Sequence, residues 1–480
     1  MIAVAMNLHD HNTFDGEYHC MVERLNRTKH NFKSEIADFS FMDSFFRKDE
    51  IVSFSTTNGG ILSNPKFYTW LESDKKFYKK ILDFNPDTIW DRITKDNYYY
   101  VDHHCSHAVY AYLTSGFNKS DILAIDGRGI NSKNCIFVDE SGKITDLSDI
   151  LPLGKLWNLV TAAIGFGHLE EGKTMGLAAY GRYDPKINSI LNYVFEDIQN
   201  PENPFMLNGL NEKNLAYNVQ HFTIQKIQEI VLPLKTSDNI CIAGGVAYNG
   251  YMNEEFTKHY KNVHVPPAPG DEGQSIGCYM HANYTLNNKV DIPSVYSGKS
   301  YNVQSDTELD YNFIAQAIAD GAIVGWFQDK SESGNRALGN RSILADPRNP
   351  QIKNIINSKI KKREDFRPFA PSVLEEHYKE YFDTNQPSPY MSRIVPVISD
   401  KIPGVTHVDK TARIQTVNQK QNEKYYKIIN EFYNITGIPM LLNTSFNCHE
   451  PIVESPLDAF STFTQTGLDM LVRNNSIIKK

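Results

Sequence analysis

The stretch "DILAIDGRG" (121–129) decides how the chain is read. Four apolar residues, Ile122 to Ile125, form a short buried strand that delivers Asp126 at its carboxyl end, with Gly127 and Gly129 directly after. Short apolar runs of this kind, ending in Gly or Asp and alternating with helical patterns, mark α/β architecture. The same form recurs in "MIAVAMN" (1–7), "NICIAGGVAYNG" (239–250), "GAIVGWFQ" (321–328) and "IPMLLNTSFN" (438–447). An acid at a strand end, beside glycines that let a ligand approach the backbone, is a common way to place a carboxylate at a phosphate or metal. The alternative is an Asp-Gly turn closing a hairpin.

At 480 residues the chain is too long for one core, and two or three domains are expected. A weakly patterned polar stretch covers 286–312, with Pro293, Ser294, Ser297 and Gly298 near its middle; the boundary is placed near residue 300, within about ten residues. The formal charge of −8 argues against general affinity for nucleic acid or anionic membrane. Residues 301–480 carry 21 basic and 21 acidic side chains, so the whole deficit lies in residues 1–300. Within the balanced part, 336–367 holds nine Arg or Lys against three acids, either a solvated basic helix or a pocket for a small polyanion. The six cysteines are scattered without paired spacing, as expected of reduced thiols in a cytoplasmic protein. "MIAVAMNLHDHN" reads as neither signal peptide nor anchor, and no apolar stretch approaches the ~20 residues that span a bilayer.

"YVDHHCSHAVYAY" (101–113) sets His103 and His107 four apart, on one face of a helix, with His104 pointing elsewhere. "VPPAPGDEGQSIGC" (265–278) presents Asp271 and Glu272 in a turn stiffened by Pro266, Pro267 and Pro269. Two imidazoles with Asp126 and Asp271 would make an N2O2 set suited to iron(II), manganese or zinc; a polar helix start is the alternative. Gly244 and Gly245 in "IAGGVAYNGYMN" free backbone amides near a helix start, which suits an anion or nucleotide, although the spacing is not a dinucleotide fingerprint.

The chain resembles the O-carbamoyltransferase family that includes nodulation protein U and the enzymes carbamoylating cephalosporins, novobiocin-type coumarins and aminoglycosides. The resemblance runs nearly end to end through "HHCSHA", "LAIDGRG", "EEGKTMGLAAYG", "AGGVAYN", "PPAPGDEG", "GNRALGNRSILADPR", "IKKREDFRPFAPSV", "HVDKTARIQTV" and "GIPMLLNTSFNCHEPIV". It implies an actin-like (ASKHA) transfer domain over 1–300, of the sort used by tRNA threonylcarbamoyl transferases, and a YrdC-like α/β domain over 301–480. The second would condense carbamoyl phosphate with ATP to carbamoyladenylate; the first would pass the carbamoyl group to an acceptor hydroxyl.

By the resemblance, Lys361, Arg363, Ser445 and Asn447 form the K-x-R and S-x-N signature, and Arg336, Arg341, His407 and Arg413 hold carbamoyl phosphate. Arg offers bidentate contacts to phosphate where Lys acts as a point charge. Glu171, Lys173, Gly176, Gly244, Gly245 and Asn249 would line a nucleotide pocket. His103, His107, Asp126 and Asp271 match the family's metal positions, with iron(II) the usual suggestion, and Mg2+ is expected on ATP. His9 and Asp10 occupy its N-terminal His-Asp position, with a role on the acceptor side or the phosphate side. The family usually has proline where Asn335 stands and a hydrophobic residue at Ser333, beside a retained Glu332. The resemblance implies a sugar or glycosylated natural product as acceptor; a hydroxymethylated pyrimidine such as 5-hydroxymethylcytosine, as nucleotide or in DNA, is the alternative. For DNA, "CMVERLNRTKHNFK" (20–33) offers Arg24, Arg27, Lys29 and Lys33. A tRNA threonylcarbamoylation enzyme and a nucleotide-gated binding module are the rival readings; for the carbamoyltransferase reading a second copy of the chain, as a homodimer, is among the candidate partners.

Overall fold

The computed structural model describes residues 1–7, 11–27, 29, 50–57, 65–127, 133–200, 203–301 and 308–480. The chain divides into two compact units, Met1–Ser294 and Val295–Lys480. His9, Asp10, Lys33 and Gly129 lie outside the described residues.

The first unit holds two sheets. One has the order β3-β2-β1-β4-β6-β5, where β1 is Ile2–Met6, β2 Asn12–Phe14, β3 His19–Met21, β4 Val52–Thr56, β5 Arg92–Lys95 and β6 Tyr98–Val101. The other has the order β11-β10-β7-β8-β9, from β7 Asp121–Ile125, β8 Cys135–Val138, β9 Ile144–Asp146, β10 Asn239–Ala243 and β11 Asn262–His264. Each contains a run of three parallel strands: β1, β4 and β6 in the first, β7, β10 and β11 in the second. The strands β1, β4 and β7 are buried at every position, as parallel strands covered on both faces must be.

Two helices fill the space beside these sheets. His103–Ser115 packs on β7 and β10, Gln274–Asn287 packs on β1 and β4, and the two helices pack on each other. Asp102 starts the first of them, its carboxylate accepting from His104 N at 2.9 Å and Cys105 N at 3.2 Å, and Gly116 ends it at φ 71°. Where the helices cross, a Cβ on Gly277 would stand 2.1 Å from Ser106 O, so only glycine permits this approach. Helices Leu153–Ile164, Glu171–Ala178, Pro185–Glu196 and Glu212–Lys226 lie in the chain between β9 and β10.

The second unit is built on one mixed sheet of order β15-β16-β14-β17-β13-β12-β18-β19. Its strands are β12 Val324–Phe327, β13 Arg341–Ala345, β14 Ala370–Leu374, β15 Arg393–Pro396, β16 Thr411–Val417, β17 Met440–Ser445, β18 Met470–Arg473 and β19 Ser476–Lys479. Helices Tyr311–Ala319 and Glu423–Thr436 pack together, and Trp326 is buried with its indole donating to Gly339 O at 2.9 Å. The basic stretch 336–367 is not one solvated helix: it crosses a loop, β13, the short helix Ile352–Ile356 and a π-turn, Asn357–Lys361. No helix among the described residues is long and apolar enough to cross a membrane.

Candidate metal centre and cationic site

Three segments far apart in sequence converge in the first unit. The face of helix His103–Ser115 supplies His103 and His107, the end of β7 supplies Asp126, and the turn Asp271–Gly273 supplies Asp271. One ligand atom from each lies within 4.8 Å of all the others. His107 Nε2 is 3.2 Å from Asp126 Oδ2 and 3.4 Å from Asp271 Oδ1; His103 Nε2 is 3.6 Å from both. Both histidines are buried, whereas Asp126 and Asp271 keep 15% and 10% exposure, which leaves the cluster an open side. His103 Nε2, His107 Nε2, Asp126 Oδ2 and Asp271 Oδ1 have no hydrogen-bond partner. Four converging, unsatisfied donors of N2O2 type fit a divalent transition metal.

Electrostatics agree. Burial opposes charge on His107, but the carboxylates of Asp126 and Asp271 outweigh it and raise its pKa to about 9. Burial likewise opposes the Asp126 carboxylate, and His103 and His107 outweigh it, so Asp126 is held well below the usual range. Asp126 is therefore ionised beside the two imidazoles, with proton and metal ion as competing partners. His104 does not join the set: burial first and His103 second push its pKa down to about 3, and neither ring nitrogen has a partner.

The glycines anticipated as ligand-approach positions bring backbone against Asp126. A Cβ on Gly244 would meet Ile125 O at 2.2 Å, and one on Gly245 would stand 3.0 Å from Asp126 Oδ1. Helix Leu153–Ile164 begins in the same place, since a Cβ on Gly154 would meet Asp126 O at 2.2 Å. Glu171, Lys173 and Gly176 stand on the next helix, tied to Leu153–Ile164 by Thr161 and Thr174 hydroxyls 2.9 Å apart, and Lys173 pairs with Glu170 at 2.6 Å. Asn249 is engaged otherwise: it caps helix Gly250–Phe256 by accepting from Met252 N at 3.1 Å and donates to Gln220 Oε1 at 3.0 Å.

In the second unit Lys361, Ser445 and Asn447 come together across 84 residues of chain. Lys361 Nζ donates to Ser445 O, to Ser445 Oγ at 3.1 Å and to Asn447 Oδ1 at 2.6 Å. Arg363 stacks on Phe369 at 4.7 Å and donates to Asn357 Oδ1 at 2.8 Å. Burial first, then the neighbouring Arg367, push its pKa down to about 9, the direction expected of cations grouped together.

The two arginines of "GNRALGNRS" separate. Arg336 lies in the loop between β12 and β13. Arg341 is 0% exposed, lies 3.6 Å from the Phe327 ring centre, and donates to the carbonyls of Gln328 (2.6 Å), Asn340 (3.0 Å), Asp329 (3.1 Å) and Glu454 (3.4 Å). An arginine so committed to backbone carbonyls shapes the loop that carries Arg336. Glu332 completes that loop by accepting from the amides of Leu338 (2.5 Å), Asn340 (3.3 Å) and Arg341 (3.4 Å). His407 stands in the turn before β16 and Arg413 on β16, with β14 between that strand and β17.

Sequence reasoning missed the residues that hold these groups. Asn12 accepts from Ser275 N at 3.0 Å and donates to Asp271 O at 2.8 Å, fixing the turn that carries Asp271. Asn443 donates to Ala337 O, Ser372 Oγ and Gln415 Oε1, each at 3.0 Å, beneath the Arg336 loop. An isolated Asn carries no signal that its partner lies hundreds of residues away.

The chain matches the family descriptions "Carbamoyltransferase N-terminus" over residues 53–221 and 205–280 and "Carbamoyltransferase C-terminus" over residues 315–480. It is 36% identical to nodulation protein NolNO of Sinorhizobium fredii, over 79% of this chain and 64% of that protein, so it spans just under two thirds of that relative. It is 35% identical to nodulation protein NolO of Bradyrhizobium diazoefficiens, over 79% of each chain, and 32% identical to the uncharacterized protein sll1178 of Synechocystis, over 86% of this chain and 81% of that one. With both halves matched in order around a converged N2O2 cluster and a lysine–serine–asparagine group, the chain belongs to the carbamoyltransferase family of enzymes.

Proposed function

We propose that the protein is an ATP-dependent O-carbamoyltransferase working in two steps. The observation that supports it best is the presence, one in each unit, of a cationic polar group and a metal-type donor set. In the second unit, read as a YrdC-like domain over 301–480, Lys361, Arg363 and Arg336 neutralise carbamoyl phosphate and ATP-Mg2+, with Ser445 and Asn447 orienting the Lys361 ammonium. Water first cleaves carbamoyl phosphate to carbamate and inorganic phosphate. A carbamate oxygen then attacks the ATP α-phosphorus, the α–β phosphoanhydride bond breaks, pyrophosphate leaves, and carbamoyladenylate remains; positioning and charge neutralisation carry such a step. His407 and Arg413 belong to the same site in this reading.

In the first unit, read as an actin-like domain over 1–300, His103, His107, Asp126 and Asp271 would hold iron(II) or another divalent ion. Such an ion, when bound, supplies Lewis acidity toward a carbonyl or phosphate oxygen. The close backbone at Gly244 and Gly245 admits a nucleotide beside Asp126, while Glu171, Lys173, Gly176 and Asn249 shape its surroundings. The acceptor oxygen bonds to the carbamoyl carbon, the carbon–phosphate oxygen bond breaks, and AMP leaves with the acceptor's proton passed to solvent.

The acceptor class is a sugar or natural-product alcohol, or 5-hydroxymethylcytosine in nucleotide or DNA, met in the cytoplasm. The test is a panel of aminosugars, free hydroxymethylated nucleotides and hydroxymethylcytosine DNA incubated with enzyme, carbamoyl phosphate and ATP, read by mass spectrometry. One class gaining a carbamoyl mass in an ATP-dependent way is expected. Carbamoylation of an acceptor without ATP would overturn the adenylate route.

A further inference from the structure

His103 differs from His107 in what its far nitrogen meets. His107 Nδ1 has no partner. His103 Nδ1 receives the side-chain amide of Gln274, whose Nε2 lies 2.8 Å from it and 3.1 Å from His103 O. Gln274 Oε1 in turn accepts from Asn7 Nδ2 at 2.7 Å. Asn7, Gln274 and His103 are all 0% exposed, and Asn7 Oδ1 has no partner. The chain of bonds runs from the end of β1 through the first residue of helix Gln274–Asn287 to the first of helix His103–Ser115.

In this arrangement the amide donates, so His103 Nδ1 is the acceptor and the ring proton of the neutral imidazole sits on Nε2, facing Asp126 and Asp271. A metal ion needs the Nε2 lone pair, and then Nδ1 carries the proton and requires an acceptor. A carboxamide presents oxygen or nitrogen from one planar frame, so half a turn of the Gln274 amide supplies that acceptor. The turn brings Gln274 Nε2 toward Asn7, and the unpartnered Asn7 Oδ1 is the atom that receives it once Asn7 turns too. The backbone need not move, because Asn12 holds it on both sides of Asp271 and Ser275.

We propose that Asn7 and Gln274 form a reversible amide relay that sets the tautomer of His103, donating to Nδ1 in the metal-free protein and accepting from Nδ1–H when a divalent cation takes Nε2. The inference rests on the metal-centre reading above. In the exchange Nε2 gives one proton to solvent and Nδ1 takes one up, so the protons balance. Gln274 is a positioning residue, acting on the ion only through His103. The turn gives up the contact with His103 O, which opposes it until coordination compensates.

The full chain, labelled with 15N-histidine and stripped of metal by chelation, is read by two-bond proton–nitrogen correlation, with His103 assigned by loss of its signals in His103→Asn. The expected spectrum is the Nε2–H tautomer without metal and Nδ1–H after Zn2+. Gln274→Glu, which only accepts, is expected to show Nδ1–H before any metal is added. Gln274→Met, isosteric with neither donor nor acceptor, is expected to weaken Zn2+ binding about 10–100-fold by competition with a chelating dye. Nδ1–H in the metal-free wild type, Nε2–H in metal-free Gln274→Glu, or undiminished Zn2+ affinity in Gln274→Met overturns the relay alone. A wild type that takes up no Zn2+ removes the metal-centre reading, and the relay with it.

Discussion

Lys361 and Arg341 show how differently two buried cations can be used. Lys361 is bonded to side chains of a loop end, Ser445 and Asn447, whereas Arg341 is bonded to four backbone carbonyls. Hydrogen bonds from a charged group contribute roughly 1.5–3 kcal/mol each, and an orphaned buried acceptor costs about 1–3 kcal/mol. Arg341→Met is therefore expected to lower the stability of the second unit by more than about 3 kcal/mol in urea titration. Arg336→Ala is expected to leave the urea midpoint nearly unchanged and to cut pyrophosphate formation at least 100-fold; the reverse pattern would contradict the assignment. A helix face, a strand end and a proline-stiffened turn are each readable locally, so His103, His107, Asp126 and Asp271 could each be picked out; the resemblance supplied the reason to group them, and their convergence comes from the fold. The bonds of Arg341 to carbonyls of a loop and of Glu454 were not legible, because no local pattern reveals them.

Among the elements, the pair of helices His103–Ser115 and Gln274–Asn287 carries the first unit's geometry. Gly277 sits against Ser106 O, so Gly277→Val must push the helices apart. Overpacking of this kind costs about 1–3 kcal/mol, occasionally more, and here it also separates Asp271 from the histidines. Zn2+ affinity and melting temperature are expected to fall together; a variant with native metal affinity would show the crossing to be unimportant. The same helix buries His281, whose Nδ1 meets Tyr99 Oη at 3.0 Å, and burial pushes its pKa down to about 4. Its folded pKa lies below the unfolded value of 6.5, so the unfolded chain binds the extra proton between them. Stability is full above 6.5 and declines as pH falls toward 4, at up to about 1.4 kcal/mol per pH unit. His281→Gln is expected to flatten that part of the urea-midpoint profile, and an unchanged profile would contradict it. Strand positions were legible, since short apolar runs became β1, β7, β10, β12 and β17, with β7 and β10 ending directly on Asp126 and Gly244. The edge strands and the glycine crossing were not, because edge strands carry weak patterning and a helix contact depends on residues 171 positions apart.

At the scale of the whole molecule, the proposed function is a division of labour, in which one unit would charge the carbamoyl group and the other would deliver it. The sequence suggested a boundary near residue 300, and the units meet in the chain at Ser294 and Val295. What composition could show was limited to charge: the balanced second half against the acidic first. Which sheet order each half adopts, and hence which strand ends become neighbours, is set by long-range pairing that local pattern does not encode. The most direct test compares pyrophosphate release, with carbamoyl phosphate and ATP but no acceptor, in Lys361→Ala and His107→Ala. The account predicts loss in Lys361→Ala and near wild-type release in His107→Ala, which should fail only in transfer to an alcohol. Loss of pyrophosphate release in both, with each variant folded, would contradict it.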